Sequence, residues 1–352
     1  MSQSSIQTGG GGVKVDVQKS EIIVEKTGAA AATNEAKVKP LEKTAYKMMT
    51  WNVLAHEWTA YNTLDGKIES EAEKLRRWDQ IDLILKTQEA DIILLQEASV
   101  SFIEFLLQKQ YDTKYTLATE FPSMTKKIGL LTLISKQAFV VVKSQTIQLP
   151  AEKPKSDANS RHALVSVIRN IDNNFLMVIN THLDGYPPLE KLRKEQASLG
   201  YIGSLITWSE AIKSETLKPQ TLDNKKVGVV FAGDFNETKY KNFDNVLQCK
   251  ELDALGGPLT LCTPIEKESE TLVPTSFFVF KDEKKEEGKG IDYIWISSKS
   301  LVLTQPIEIW PKPDIGTSKT TYYLTKEFPA VPFKDVSWPS DHACLIIQFS
   351  FR

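Results

Sequence analysis

Short apolar runs separated by polar loops follow one another along the chain from Tyr46 to Phe351. Apolar runs of this length, bounded by polar and turn-forming residues, predict buried β-strands. At least nine strands are predicted, at residues 47–51, 91–95, 129–135, 139–149, 163–168, 175–181, 227–232, 291–297 and 343–349.

Two longer segments carry apolar residues at the spacing of one helical face. These residues are Leu75, Trp78, Ile81 and Leu85 in segment 71–89, and Leu192, Leu199, Ile202 and Ile206 in segment 189–212. Each predicted helix would pack on a sheet through that face. Many strands with few helices predict a layered α/β sandwich in one domain. The charged segments 152–159 and 281–289 are predicted to be loops.

The first 44 residues have a different composition from the rest. They contain no aromatic residue and include the runs Gly9–Gly12 and Ala29–Ala32. Such a segment cannot bury enough apolar area to fold alone. We therefore predict a disordered tail at residues 1–44 and one catalytic domain at residues 45–352.

Charge and cysteine content narrow the class of protein. The formal net charge of the 352 residues is -2, so a polyanionic ligand would have to be bound by local groups rather than by a general positive field. Three cysteines without a CxxC pair fit a reducing compartment, and the start lacks the features of a secretory signal. We expect no membrane insertion and a cytoplasmic location, with the nucleus as the alternative.

Polar residues stand at one end of six predicted strands. They are Asn52, Glu97, His182, Asp234 with Asn236, Asp292, and the trio Ser340, Asp341 and His342. Loops at strand ends are where a rigid sheet presents functional groups. The chain has only four histidines and no HExxH motif, so a metal site would depend on oxygen ligands, which favour Mg²⁺ or Mn²⁺.

Six short motifs contain these residues in a fixed order. They are TWNVLA (50–55), LLQE (94–97), NTHLD (180–184), GDFN (233–236), IDYIW (291–295) and SDHACL (340–345). In this order the chain from about Thr44 to Arg352 resembles the endonuclease/exonuclease/phosphatase superfamily. The resemblance implies a DNase I-like, four-layer α/β sandwich in which two packed, mainly antiparallel sheets are flanked by helices.

The resemblance also implies roles for individual residues. Glu97 would be the principal Mg²⁺ ligand, assisted by Asn52 and Asp341, with Mn²⁺ as the alternative cation. Asp234 would orient or deprotonate the attacking water, and Asn236 would hold water and phosphate.

The remaining implied roles concern the phosphate. His342 would pair with Asp292 and present a cation to the scissile phosphate, since a neighbouring carboxylate raises the pKa of an imidazole. His182 would bond a phosphate oxygen, and Arg161 would contact the phosphate. A serine-hydrolase mechanism is disfavoured because the chain has no GxSxG motif.

The substrate is inferred from longer similarities. TWNVLA, the segment LRRWDQIDLILKTQEADIILLQE, PTSFFVF before GKGIDYIW, and PSDHACLIIQFSF are similar to the nocturnin, Angel and catabolite-repressor deadenylase branch. That branch implies a 3'-to-5' exonuclease on single-stranded RNA. However, GDFN continues as ETKYKNF and lacks the S-x-P-x-S stretch common in those deadenylases.

Three alternatives stay open at this point: a phosphoesterase acting on a lipid or inositol phosphate, a DNA nuclease of the same superfamily, and a scaffold without activity. Aromatic residues near the motifs are candidates for stacking on bases. These candidates are Trp58, Tyr61, Phe235, Tyr240, Phe277 and Trp338.

Overall fold

The computed structural model describes thirteen stretches of the chain. They are residues 5–6, 13–14, 17–18, 43–61, 67–120, 128–151, 161–185, 189–213, 226–247, 258–263, 275–280, 285–310 and 339–352. Trp338, the side chains of Tyr61 and Phe277, and most of the predicted tail lie outside these descriptions.

The described helices and strands are numbered in chain order. The helices are a 3₁₀-helix (His56–Tyr61), α1 (Glu71–Gln88), α2 (Val100–Gln108), α3 (Tyr111–Lys114), α4 (Glu190–Lys213) and α5 (Lys241–Leu247). The strands are β1 (Ser5–Ile6), β2 (Val13–Lys14), β3 (Val17–Gln18), β4 (Tyr46–Asn52), β5 (Ile92–Ser99), β6 (Tyr115–Glu120), β7 (Ile128–Ser135), β8 (Phe139–Leu149), β9 (Arg161–Asn170), β10 (Phe175–His182), β11 (Val227–Asp234), β12 (Leu259–Leu261), β13 (Ser276–Phe280), β14 (Lys285–Lys289), β15 (Asp292–Ser297), β16 (Leu301–Leu303), β17 (Glu308–Trp310) and β18 (Cys344–Phe351).

Two seven-stranded sheets form the centre of the fold. The strand order is β12-β15-β11-β10-β9-β8-β3 in the first sheet and β16-β18-β4-β5-β7-β6 in the second, where β17 also pairs with β18. Each sheet contains one parallel pair, β10 with β11 and β4 with β5, and the other described pairings are antiparallel. Because parallel strands end at the same edge, His182 lies directly beside Asp234, and Asn52 beside Gln96.

Apolar side chains fill three interfaces, which makes the fold a four-layer sandwich. Met48, Leu94 and Val178 are among the residues buried between the two sheets. The outer face of the first sheet is covered by α4 and α5, and that of the second sheet by α1 and α2. The predicted four-layer α/β architecture with mainly antiparallel sheets is confirmed.

One polar pair crosses the apolar interface between the sheets. The Gln96 side chain on β5 donates to Asn180 Oδ1 on β10 at 2.8 Å, and the Asn180 amide donates to the carbonyl oxygens of Leu95 and Leu131. Buried amides are tolerated when they are hydrogen-bonded, and their geometry restricts how the two layers can slide. This pair therefore sets the relative register of the sheets close to the polar strand ends.

The first predicted helix is confirmed as α1, with one correction to its buried face. Ser70 caps it, and Ser70 and Glu73 exchange the reciprocal bonds of a capping box. Trp78, Ile81 and Leu85 are buried as predicted. Leu75 is instead 47% exposed, because the buried face of α1 includes the charged Arg77 and not Leu75.

The second predicted helix is confirmed as α4, but its central contact is made by small residues. Ile206 is buried as predicted, and the partly buried Leu199 packs against the core. Leu192 and Ile202 are only partly buried, whereas Gly200 and Gly203 face the sheet. A Cβ atom on Gly203 would lie 2.7 Å from the Ile147 side chain. The glycines thus let the helix approach the sheet more closely than larger residues would allow.

All nine predicted strands are present, and several short elements were not predicted. The unpredicted helices and strands include α2, α5 and β6. The charged segment 281–289, predicted to be a loop, contains β14, which pairs with β13 as a hairpin. The short strand β3 pairs with the edge of β8, and the division between a tail and a domain at residue 44 stays a prediction. None of the helices in the described ranges is long and apolar enough to cross a membrane.

Gly233 offers a test of the close pairing between β10 and β11. Its φ angle is +141°, and a Cβ atom there would lie 2.0 Å from the Thr181 carbonyl oxygen. We expect Gly233→Ala to destabilise the protein by at least about 1–3 kcal/mol, measured by urea unfolding. Gly200→Ala is the control, because its Cβ would make an ordinary 3.4 Å contact inside a helix. Equal stability of the two variants would contradict this account.

Candidate active site

The polar strand ends from both sheets meet at one edge of the sandwich. Asn52 and Glu97 come from the second sheet, and His182, Asp234 and Asp292 come from the first. His342 lies just before β18 and forms an isolated bridge with Ser276. The structure therefore brings together residues that are up to 290 positions apart in sequence, as their motifs predicted.

Glu97 is held in place by its own backbone and by two hydrogen bonds. The pairing of β5 with β7 shifts register between Leu95 and Ala98, and Glu97 has a φ of +58°. Such bulges redirect side chains near functional sites, and positive φ at a non-glycine residue is strained. Glu97 Oε1 accepts from Asn52 Nδ2 at 2.8 Å, and Oε2 accepts from the Ala55 backbone N–H at 3.0 Å.

Asp234 is at the centre of the cluster. Its Oδ2 accepts from Asn52 Nδ2 at 3.1 Å, and lies 3.6 Å from His182 Nε2 and 3.8 Å from His342 Nε2. Its Oδ1 accepts from the Asn236 backbone N–H at 2.9 Å. One carboxylate therefore contacts both sheets and both site histidines.

The predicted pair of Asp292 and His342 is present, and it is buried. His342 Nδ1 lies 3.0 Å from Asp292 Oδ2. Two partners were not predicted: the Thr275 hydroxyl donates to Asp292 Oδ2 at 2.6 Å, and the Ser276 Oγ lies 3.2 Å from His342 Nε2. Their only signal in the sequence is the PTSFF segment that precedes GKGIDYIW.

Burial and charge crowding determine how these groups ionise. Burial raises the pKa of Glu97 to about 7, and the negative charge of Asp341 acts in the same direction. Burial also raises the pKa of Asp234 to about 7, against the attraction of His342. For His342, burial alone would lower the pKa, but Asp292, Asp341 and Asp234 together hold it well above 6.5. The site therefore favours a positive charge on His342, while Glu97 and Asp234 are harder to ionise than exposed carboxyl groups.

This donor set fits a divalent cation. Ligand atoms of Glu97, His182 and Asp234 lie within 4.8 Å of one another, and so do those of Asp234, Asp292 and His342. A buried carboxyl group is difficult to ionise by itself. Its ionised form becomes favourable when a bound cation neutralises the charge. His182 and Asp234 thus lie close to Glu97. Asp341 Oδ1 is 4.0 Å from His342 Nε2, and the charge of Asp341 acts on Glu97.

The other predicted residues lie around this centre. Asn236 has a φ of +51°, and its side-chain amide donates to the Leu183 carbonyl oxygen at 3.0 Å. Arg161 begins β9 at the same sheet edge, but no hydrogen bond or ion pair within the described ranges joins its side chain to the cluster. The Trp58 ring meets the His182 ring edge-on at 6.4 Å. Phe235, by contrast, is fully buried in the core and cannot stack on a base.

Known structures place this architecture among DNase I-like proteins. The catalytic domain of human nocturnin with bound sulfate is similar, with a TM-score of 0.57 and 18% identity over 88% of this chain and 94% of that chain. ANGEL2, described as a 2',3'-cyclic phosphatase and solved with adenosine-2',3'-vanadate, has a TM-score of 0.60 and 14% identity over 89% and 97%. D. rerio TDP2 with a single-strand DNA product has a TM-score of 0.51 and 15% identity over 88% and 100%.

The sandwich with polar strand ends at one edge thus has the DNase I-like fold. Residues 49–342 match the Endonuclease/Exonuclease/phosphatase family, and the chain belongs to this family. A search of curated proteins finds no match to the chain. Members of the family typically use a divalent metal ion, in agreement with the donor set described above.

The Asp292–His342 pair can be tested by titration. We expect Asp292→Asn to lower the pKa of His342, because the nearest charge that raises it is removed while burial remains. NMR of the imidazole resonances measures this change, with His56 and His162, which lie outside the cluster, as internal references. A His342 pKa that is the same in both proteins would show that the pair does not control its charge.

The same pair predicts a pH dependence of stability. Since the folded-state pKa of His342 is raised, its contribution is complete below the ordinary value of 6.5 and is lost as the pH rises through the folded-state pKa. Asp292→Asn should therefore cost more unfolding free energy at about pH 6 than at about pH 10. Urea unfolding of both proteins at the two pH values checks this, and a constant difference would contradict it.

Proposed function

We propose that this chain is a Mg²⁺-dependent phosphodiesterase that shortens single-stranded RNA from its 3' end, acting in the cytoplasm or, as the alternative, in the nucleus. The observation that carries the proposal is the convergence of Glu97, Asp234 and the Asp292–His342 pair within one buried cluster. This set can supply cation binding, a proton acceptor and a fixed positive charge, which phosphodiester hydrolysis requires.

Each residue would have a distinct part in the reaction. Glu97 and Asp341 would hold the cation, with His182 and Asp234 within reach of the same position. Asn52 would join them only through Oδ1, which accepts from the Leu54 N–H, because its Nδ2 donates to Glu97. When bound, Mg²⁺ would neutralise charge on the phosphoryl oxygens. Mn²⁺ is the alternative cation.

The proton transfers would be carried out by the protein itself. Asp234, with a pKa near 7, is suited to accept a proton from the attacking water at neutral pH. Asp292 lies 3.0 Å from Nδ1 of His342 and would orient its imidazole. The other nitrogen, Nε2, lies near Ser276 Oγ and Asp234 Oδ2 and would present the positive charge to the phosphate. His182 and the Asn236 amide would bind phosphate oxygens and the water, and Arg161 would contact the phosphate from the neighbouring strand end.

The choice of RNA is supported by the resemblance to nocturnin and Angel and by similar folds solved with nucleotide ligands. The ANGEL2 structure contains adenosine-2',3'-vanadate, and the D. rerio TDP2 structure contains single-strand DNA. Trp58, partly exposed beside His182, is placed to stack on a base next to the scissile phosphate.

Substrate panels test the proposal directly. The purified chain is incubated with Mg²⁺ and end-labelled oligo(A), mixed RNA, single-stranded DNA, RNA ending in a 2',3'-cyclic phosphate, a sphingomyelin analogue and inositol phosphates. Stepwise shortening of RNA from the 3' end is the expected result. Cleavage of DNA alone, or of the lipid or inositol substrate alone, would overturn the choice of RNA. Removal of the cyclic phosphate without shortening of the RNA would overturn the exonuclease reaction.

Glu97→Gln supplies the site-specific control for that panel. The substitution preserves size but removes the central negative charge, so we expect the rate to fall by about 10²- to 10³-fold or more. Glu104→Gln makes the same chemical change at an exposed position of α2 and should leave the rate unchanged. Comparable activity of Glu97→Gln and the wild type would refute the site assignment.

A further inference from the structure

Two buried arginine–glutamate pairs lie beneath the site, one in each half of the sandwich. Arg77 on α1 pairs with Glu69, with 2.6 Å between Nη2 and Oε1. Arg193 on α4 pairs with Glu237, with 2.8 Å between Nη2 and Oε2. The arginine side chains are only 3% and 8% exposed. A buried ion pair is weak evidence for stability by itself, because removing both charges from water costs about as much as their attraction returns.

Arg77 joins two loops that carry site residues from the second sheet. Its Nη1 donates to the carbonyl oxygens of Val53 at 2.9 Å and Pro339 at 3.3 Å. Val53 lies between Asn52 and the Ala55 N–H that binds Glu97. Its second target, Pro339, precedes the Ser340 hydroxyl, which donates to the Asn52 carbonyl oxygen at 2.6 Å.

Ser340 extends this connection to the histidine. Its Oγ accepts from the His342 backbone N–H at 3.2 Å. Glu69, which orients the Arg77 guanidinium, also contacts His56 Nδ1 at 3.2 Å. The planar, forked guanidinium is suited to bridging two carbonyls and a carboxylate, which a lysine ammonium on a flexible stem cannot reproduce.

Arg193 makes the corresponding connection in the first sheet. Its Nη1 donates to the Asp184 carbonyl oxygen at 3.3 Å, two residues after His182. Its partner Glu237 directly follows Asn236, and the Glu237 carbonyl oxygen accepts from the Tyr293 hydroxyl. Gln196, one turn further along α4, accepts from the Asp184 N–H at 3.1 Å. The loops after β10 and β11 are therefore held by one guanidinium.

We propose that Arg77 and Arg193 are positioning residues that divide the site between them. Arg77 fixes the segment that follows β4 and the segment that precedes β18. It thereby fixes the geometry around Glu97, Asn52 and Asp341. Arg193 fixes the loops after β10 and β11, and so the geometry of His182 and Asn236. The expected changes in kcat rest on the proposed function. The separate positioning of the two halves of the site depends only on the fold.

If each arginine positions its own half of the site, substitutions of Arg77 and Arg193 should affect different quantities. Arg77→Lys should weaken Mg²⁺ binding by about 10- to 100-fold, as is typical when an outer partner of a ligand is lost. Arg193→Lys should lower kcat by about 10-fold or more. It should weaken Mg²⁺ binding less than Arg77→Lys does, because His182 is the one group within reach of the cation whose loop Arg193 holds. Calorimetry with Mg²⁺ or Mn²⁺ alone measures the first quantity without any substrate.

Double variants separate positioning from simple loss of stability. Glu69→Leu with Arg77→Met, and Glu237→Leu with Arg193→Met, replace each ion pair by apolar side chains, which often preserves or increases stability. They still lack the hydrogen bonds to the loop carbonyls. We expect near wild-type unfolding midpoints with the same functional losses as in the lysine variants.

Two results would overturn the proposal. Recovery of metal binding and kcat in the stable double variants would show that the arginines act only on stability. Equal losses of metal affinity and kcat in both sets of variants would show that the site is not divided. Lys109→Ala, which removes an exposed pair with Asp79, is the control and should change neither quantity.

A readout without metal or substrate keeps this test independent of the proposed function. Backbone amide resonances of the metal-free protein should shift at residues 52–55 and 340–342 in the Arg77 variants, and at 182–185 and 235–237 in the Arg193 variants. If the wild type cleaves no RNA or binds no Mg²⁺, the proposed function fails, whereas this separation of shifts still supports the division. Shifts spread over both groups in both variants would refute it.

Discussion

The side-chain amide of Asn52 connects the two halves of the site. Its Nδ2 donates to Glu97 on the second sheet and to Asp234 on the first, at 2.8 Å and 3.1 Å, and it is fully buried. Its Oδ1 accepts from the Leu54 N–H, which determines the orientation of the amide. An amide is neutral and offers two donors, so it can hold two carboxylates that would otherwise repel each other. The relative position of the sheets and the geometry of the site therefore depend on the same contact.

The chemistry of the site follows from removing several acidic groups from water. Glu97, Asp234 and Asp292 are all at least 92% buried, and His342 is the cation that compensates them within the protein. A site with this imbalance binds cations and stabilises charged imidazole, and both properties suit the hydrolysis of an anionic ester. The strained backbone at Glu97 and Asn236 is consistent with the same purpose, because strain of this kind concentrates where side chains must be directed.

Much of the architecture could be predicted because its local signals agree with its tertiary structure. Most of the nine predicted strands are buried on both faces, so they appear as continuous apolar runs; β8, with Val140 exposed, is an exception. The Ser70–Glu73 capping box marks the start of α1. The predicted face of α1 was wrong at Leu75 and that of α4 was incomplete, because each helix also buries residues other than its largest apolar ones. Leu75 is exposed because Arg77 occupies the buried face, and α4 meets its sheet through Gly200 and Gly203. The spacing of hydrophobic residues cannot predict a buried ion pair or a close contact made by glycine.

The sequence by itself determined which polar residues meet at the candidate site. They all occur in motifs at strand ends, and they are Asn52, Glu97, His182, Asp234, Asp292 and His342. It could not show that Asp234 contacts both histidines, that Thr275 and Ser276 complete the Asp292–His342 pair, or that Phe235 is buried. Those facts were decided by the tertiary structure alone. The physical reason is that motif identity is local, whereas distances between strand ends depend on the strand order of two sheets and on how those sheets pack.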